Sequence, residues 1–173
     1  GTPGNRFALS EGFTTYNRFY GGQVGIDLES RFFAPMILFQ LVGKVALGTN
    51  DQTLATAASS QITEPGGVVT ASGDRALLVQ PSNLGHFHRN QFAVVPEGAF
   101  FVSWEVNRYL RLGAGYDFIY WTQVIRPGQQ IDRAVNVQAL QPFDEIGPAR
   151  PGVNLQNSNF WVQGLTVNLE LSF

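Results

Sequence analysis

The segment Phe160-Trp-Val-Gln-Gly-Leu-Thr-Val-Asn-Leu-Glu-Leu-Ser-Phe173 decides the fold, because its alternate residues suit opposite environments. Phe173, Leu171, Leu169, Val167, Leu165 and Trp161 share one parity, with Gln163 the polar intruder among them. Ser172, Glu170, Asn168, Thr166 and Gly164 take the other parity. A β-strand sends successive side chains to opposite sides, so this period reads as a strand with one apolar and one wet face. The edge strand of a soluble sandwich can alternate in the same way. Strand length, an aromatic at the very end and an uncharged apolar face point instead to a strand that crosses a membrane.

Four further windows repeat the period. In Phe19 to Phe32 the residues Tyr20, Val24, Ile26, Leu28 and Phe32 oppose Gln23, Asp27, Glu29 and Arg31. From Ile37 to Thr49, Ile37, Phe39, Leu41, Val45 and Leu47 oppose Gln40 and Lys44. Between Phe92 and Val106, Phe92, Val94, Phe100, Val102, Trp104 and Val106 oppose Glu97, Ser103 and Glu105. In Leu110 to Thr122, Leu110, Leu112, Ala114, Tyr116, Phe118 and Tyr120 oppose Arg111, Asp117 and several glycines. Every formal charge within these windows falls on the polar side, so the other side must meet something apolar, either lipid or a protein core. Each window reaches the roughly nine to eleven residues with which a tilted strand spans a bilayer.

Composition narrows the choice. Charged residues make up 14% of the 173-residue chain, glycines number 19 and aromatics reach 13%. A globular chain carries about a quarter charged residues, whereas a membrane barrel averages its two faces to a mean hydropathy near zero, here −0.03. The longest apolar run, Phe32 to Phe39, is interrupted by Pro35, so the sequence offers no transmembrane helix. Lys44 is the only lysine and the formal net charge is −2, which argues against a nucleic-acid partner. With no cysteine, a disulfide scaffold and a thiolate metal site are excluded. The chain opens at Gly1 without a secretory signal and is expected to be a processed chain or a fragment.

Connections of two lengths alternate. Short corners at Arg31 to Pro35 and Glu105 to Arg108 contrast with long Thr-, Ser-, Gly- and Pro-rich loops at about 50–90 and 123–158. The halves Thr53 to Thr63 and Val68 to Gln80 can extend the neighbouring strands as a hairpin. Outer-membrane barrels have short periplasmic turns and long extracellular loops, which would set the C-terminal Phe173 at the periplasmic rim. Five strands, or six with Arg6 to Phe13, fall short of the even number from eight upward usual in bacterial single-chain barrels. Further N-terminal strands, or several chains sharing one barrel, would complete it.

Several stretches carry a family likeness. Gly115-Tyr-Asp-Phe-Ile-Tyr-Trp121, Val124-Ile-Arg-Pro-Gly-Gln-Gln-Ile-Asp-Arg133 and Val135-Asn136 do so, as do Asn17-Arg-Phe-Tyr-Gly-Gly-Gln-Val-Gly25, Lys44-Val-Ala-Leu-Gly48, Phe92-Ala-Val-Val-Pro-Glu97 and Phe160-Trp-Val-Gln-Gly-Leu165. In this order the chain resembles the beta barrel porin-7 family of bacterial outer-membrane proteins along nearly its whole length. The resemblance implies an outer-membrane barrel of a bacterium with a two-membrane envelope, and brings no catalytic or ligand residues. The terminal aromatic also resembles the signal by which such barrels are recognised by the assembly machinery.

Candidate chemistry is sparse. Arg126, Asp132 and Arg133 in the second long loop form either a charged lip that filters solutes or, through an Arg126–Asp132 pair, a pin for Pro-Gly turns. His86 and His88 have the spacing of two ligands on one strand face but no third ligand, and read as loop or rim histidines. Ser82 and Ser103 have no spacing that marks a nucleophile. Gly21, Gly22 and Gly25 lie inside a strand and lack the helix that a phosphate loop requires. On the polar face Asp27, Glu29, Glu97, Glu105, Asp117 and Glu170 outnumber Arg31, Lys44 and Arg111, so a water-filled interior would favour cations and a packed one would demand ion pairs.

The expectation is an all-β, antiparallel transmembrane β-barrel with at least five long strands, the C-terminal portion of a larger even-stranded barrel. It would act as a porin-like passive diffusion channel for small polar solutes or ions, with lumen-facing Asp27, Glu29, Lys44, Glu97, Glu105, Arg111, Asp117 and Glu170. Tyr20, Trp104, Tyr120, Trp121, Trp161 and Phe173 would mark the membrane interfaces. The alternative is a structural barrel with a plugged lumen and partner-binding loops; a soluble binding sandwich and an outer-membrane enzyme follow. No cofactor and no enzyme activity are expected. Partners would be outer-membrane lipid, the barrel assembly machinery through the C-terminal strand, further copies of the chain and other envelope proteins.

Overall fold

The computed structural model describes residues 4–33, 36–136 and 148–172. Phe173 and part of the second long loop, residues 137–147, lie outside the described residues. Six strands follow one another: β1 (Arg6–Phe32), β2 (Ile37–Thr63), β3 (Val69–Gly73), β4 (Gly85–Asn107), β5 (Leu110–Val124) and β6 (Ser158–Leu171). One 3-10 turn interrupts the second long loop at Pro127–Gln129. The strands form one sheet in the order β1-β2-β4-β5-β6, with β3 paired to the end of β2. The pairs β2–β3, β4–β5 and β5–β6 are antiparallel. No helix among the described residues is long and apolar enough to cross a membrane.

Local chemistry explains the connections. The tight link from β4 to β5 is closed by the Asn107 side chain, whose Oδ1 accepts the Tyr109 backbone N–H at 2.9 Å. Asparagine favours such turns because its amide imitates a backbone carbonyl. At the corner after β1, Phe33 takes a positive φ of 55°, which reverses the chain at the cost of a left-handed residue.

All five expected windows lie in strands, but the strands are longer than the windows. Arg6 to Phe13 and Phe19 to Phe32 belong to one 27-residue strand. The stretch 50–90 is loop only in part: β2 runs to Thr63, β3 occupies Val69–Gly73 and β4 starts at Gly85. Apolar alternation stops near Thr49 because the outer parity there turns polar, and backbone pairing continues without it.

The chain divides into two compact units, which explains this difference. One comprises residues 1–18, 51–89 and 125–157, and the other 19–50, 90–124 and 158–173. The second unit contains the five windows almost residue for residue. The first holds the strand extensions and both long loops.

In the second unit one face is apolar and exposed. Val24, Leu165 and Val167 are 71%, 77% and 74% exposed. Two aromatic contacts knit this face across strands, Phe32 meeting Phe39 edge-on at 5.4 Å and Phe39 meeting Phe100 at 5.9 Å, while along β5 Phe118 stacks on Tyr120 at 6.4 Å. Such pairs add about 0.5–1.5 kcal/mol beyond the area they cover. Gln163, the polar residue on this face, is matched by Tyr116 of the neighbouring strand, whose Oη donates to Oε1 at 2.5 Å. The amide oxygen there thereby gains a partner from the adjacent strand.

In the first unit the pattern inverts. The buried residues include Leu54, Ala76, Val79 and Ile125, but also Gln52, Thr56, Gln80, Asn83 and Gln130. Along β2 the buried positions Gln52, Leu54 and Thr56 continue the parity of Lys44, the polar side. The opposite parity of β2 carries Asp51, Thr53 and Ser59, so the apolar face that β2 shows in the second unit does not continue along it.

Glycine permits the closest strand approach. A Cβ on Gly48 would overlap the Tyr20 carbonyl oxygen and the Gly21 Cα, and a Cβ on Gly21 would overlap Leu47 O. Phe101 lies over Gly113 and Gly115 in the same manner, and Lys44 over Gly25. Since backbone cannot yield as a side-chain tip can, Gly48→Ala is expected to destabilise the fold by about 1–3 kcal/mol. Gly22→Ala, where a Cβ meets nothing within 4 Å, is the matched control. Urea unfolding of both variants in detergent micelles or vesicles measures the difference, and equal midpoints would contradict the contact.

Candidate functional site

The polar face of the second unit arises because β1, β2, β4, β5 and β6 each present their charged parity to the same side. On β5 and its neighbours Arg111 binds Glu170 at 3.0 Å and also Glu105, joining three strands through one guanidinium. A guanidinium suits this task because its planar fork serves two carboxylates at once. On β1 Glu29 pairs with Arg31 at 3.4 Å, and Asp27 accepts from Gln40 of β2 at 3.2 Å.

After these pairings Asp27, Glu97, Asp117 and Lys44 have no ion-pair partner among the described residues. In the β4–β5 register Glu97 faces Ile119 and Ala99 faces Asp117, so the two carboxylates are diagonal neighbours. Diagonal positions lie about 7–8 Å apart, close enough for their fields to add. The face therefore keeps three unpaired carboxylates against one lysine. All eight expected lumen candidates lie in strands of this unit, and the ion pairs divide them into a fixed cluster around Arg111 and a free set.

Aromatic side chains also stand on the polar side. Phe19 of β1 meets Trp121 of β5 edge-on at 6.4 Å, although β2 and β4 separate these strands in the sheet. Neighbouring strands are about 4.8 Å apart, so rings three strands away can touch only if the polar face is concave. Trp121 is thus a correction to the expected girdle. Tyr120, one residue away, pairs with Trp161 on the apolar face, while Trp121 pairs with Phe160 and turns to the concave side. Tyr20, Trp104 and Trp161 are 63%, 46% and 54% exposed on the apolar side. Beyond Trp121 the β5–β6 register shifts and Gln123 takes a φ of 56°. A bulge of this kind redirects the chain.

The first unit is held by amide side chains that bond backbone. Ile125 donates its N–H to Asn17 Oδ1 and accepts from Asn17 Nδ2, both at 2.9 Å, and Thr15 Oγ1 adds a third bond at 3.2 Å. Gln130 and Gln156 exchange bonds likewise, Nε2 to the Gln156 carbonyl and Gln156 N–H to Oε1, each 2.9 Å. Asn83 ties the Gln80 N–H and the Leu78 carbonyl. Arg89 binds Gln52 and Asn157. These struts explain the buried amides, because each replaces the backbone partners that an irregular loop lacks. The periodic reading missed them: only Asn50 and Gln52, which prolong the polar parity of β2, left a trace in the sequence.

Among the loop charges Asp132 has the most built surroundings. Its carboxylate accepts from the Gly152 N–H at 2.8 Å, the Ala134 N–H at 2.9 Å and Arg150 at 2.8 Å. The expected Arg126–Asp132 pin is therefore corrected: the guanidinium on Asp132 belongs to Arg150, eighteen residues along the chain. The Gly152 and Ala134 N–H groups and then Arg150 hold Asp132 well below its ordinary 3.8, at about 2. Arg133 is exposed beside it.

His86 and His88 lie in β4 rather than in a loop. His88 Nδ1 is 3.1 Å from Asp51 and 3.4 Å from Thr53 Oγ1. No group of three metal-ligating side chains occurs among the described residues. Ser82 donates to the Pro151 carbonyl at 2.8 Å and is a loop pin, not an activated nucleophile.

Because Asp132 is held below its ordinary value, its loop contacts are fully present above about pH 4. They weaken as protonation proceeds from there down to about pH 2. Pepsin cleavage of the 125–157 loop should rise across that window in the wild-type protein. Asp132→Asn, which has no carboxylate to titrate, should be cut readily at both ends of it. An unchanged pH profile in the variant would remove Asp132 as the anchor.

One family model matches the chain, that described as "putative beta barrel porin-7", and it spans residues 1–173, the whole chain. No curated protein and no solved structure matches it. The full-length match accords with an all-antiparallel sheet that carries one exposed apolar and one charged concave face, and the chain belongs to the beta barrel porin-7 family.

Proposed function

We propose that the chain is an outer-membrane barrel region whose concave polar face lines a passive, cation-preferring path for small polar solutes or ions. The observation that carries this reading is the free carboxylate set. Among the described residues Asp27, Glu97 and Asp117 have no ion-pair partner, on a concave face whose apolar reverse is exposed. Unpaired carboxylates need water or mobile cations, and a water-lined face with surplus negative charge concentrates cations. The exposed band, bordered by Tyr20, Tyr120 and Trp161, matches the aromatic-edged belt by which barrels meet lipid. In this reading the long loops are extracellular, the turn ends are periplasmic, and the sheet acts without catalysis.

Planar-bilayer recording of the purified protein in its complete barrel tests the proposal. Ion-sized current steps with a cation-shifted reversal potential are expected. Glu97→Gln combined with Asp117→Asn should move that potential toward zero while leaving the Arg111 cluster intact. Silence over many insertions would sink the channel.

A second reading, a loop-filled structural barrel, is favoured by the buried amides of the first unit, where the polar parity of β2 is covered by the protein's own loops. It expects silence from the same recording and retained folding.

The membrane assignment has its own measurement. Val167→Arg, in the middle of the exposed band, is expected to cost roughly 2–4 kcal/mol in folding into lipid vesicles. Thr166→Arg on the polar face should cost far less. Equal losses would mean that the two faces do not meet different solvents.

A further inference from the structure

The second long loop forms an open, mainly polar cleft of about 340 Å³, at the small end of ligand sites, which run roughly 300–1,000 Å³. One wall is fixed: Asp132 is clasped by two backbone N–H groups and Arg150, and Gln130, 2% exposed, is locked to Gln156 and to the Arg126 carbonyl. The other groups at the cavity are unengaged. The side chains of Gln129, Arg133 and Asn154 make no hydrogen bond or ion pair among the described residues. Ile131 and Val153 supply the aliphatic surface.

We propose that this cleft binds a sugar that carries a carboxylate, a hexuronate unit. Primary amides both donate and accept, as hydroxyls do, so Gln129 and Asn154 suit vicinal hydroxyl groups. The aliphatic walls suit the C–H face of a pyranose ring. Arg150 is already neutralised by Asp132, so among the described residues of the cleft Arg133 is the cation left to meet an anionic group in charge-assisted hydrogen bonds. A small inorganic anion would leave the amides idle and would meet Asp132. An apolar ligand would bury polar groups without partners. The proposal stands apart from the channel reading, because every residue it uses lies in the loop.

The test is calorimetric titration of the intact protein in detergent micelles with glucuronate, glucose, acetate and inorganic phosphate. Glucuronate should saturate, glucose should bind at least about tenfold more weakly, and acetate and phosphate should not saturate. Arg133→Gln, at an exposed position that leaves the fold intact, should lower glucuronate affinity about tenfold and leave glucose unchanged. Asn154→Ala should weaken both sugars. The proposal is overturned if glucuronate fails to saturate, if phosphate binds as tightly as glucuronate, or if Arg133→Gln leaves glucuronate binding unaltered.

Discussion

The rest of the structure depends on one constraint: in the second unit each strand pairs its backbone with its neighbours in the sheet while its alternate side chains meet different surroundings. Sheet pairing supplies the first condition and the period of two supplies the second. Everything specific to this chain refines that arrangement. Glycines at 21, 48, 113 and 115 let strands and inward rings approach where side chains would collide. Arg111 binds carboxylates on both neighbouring strands, so register and charge pairing reinforce each other. The Tyr116–Gln163 bond gives the amide oxygen on the outer face a partner.

Burial in the two units follows opposite logic. A water-soluble fold covers its aliphatic residues and exposes its amides. Here Leu165 and Val167 are among the most exposed side chains, whereas Asn50 and Gln52 are fully covered. Along β2 and β4 the apolar outer parity gives way in the first unit to Asp51, Thr53 and His88. In that unit the buried interior is held by directed bonds rather than by apolar area. A buried amide is costly if left unmatched but contributes about 1 kcal/mol per bond when paired, and it specifies one loop conformation among many.

The strands were legible in the sequence because two chemically distinct faces leave a periodic mark. Ile37, Phe39, Leu41, Val45 and Leu47 announce their strand residue by residue. Where β2 continues past Thr49 the two parities no longer differ, Leu54 standing between Gln52 and Thr56 on one and Ala55 and Ala57 following Asp51 and Thr53 on the other, and the mark vanishes although pairing does not. The free carboxylates were visible as a list, but only the register made Glu97 and Asp117 neighbours and gave Arg111 to Glu105 and Glu170. Contacts such as Phe19–Trp121, Asn17–Ile125 and Asp132–Arg150 were not legible. They join segments distant in sequence through curvature and loop path, and neither has a period. The misplacement of Trp121 beside Tyr120 shows the rule that would have prevented it: adjacent strand residues cannot share a face.

The edges of the sheet complete the physical picture. β1 and β6 each pair with one neighbour only, and they do not pair with each other among the described residues. An unpaired strand edge costs several kcal/mol per backbone group in hydrocarbon and little in water. If the exposed band meets lipid, only the parts of the edges within it require further strands. Those parts are matched in length: β6 has 14 residues, and the Phe19–Phe32 portion of β1 has as many. The remainder of β1, from Arg6 to Arg18, belongs to the first unit, where the outer parity is polar and water can serve its free groups. The length of β1 is therefore compatible with a barrel wall whose added strands need be no taller than β6.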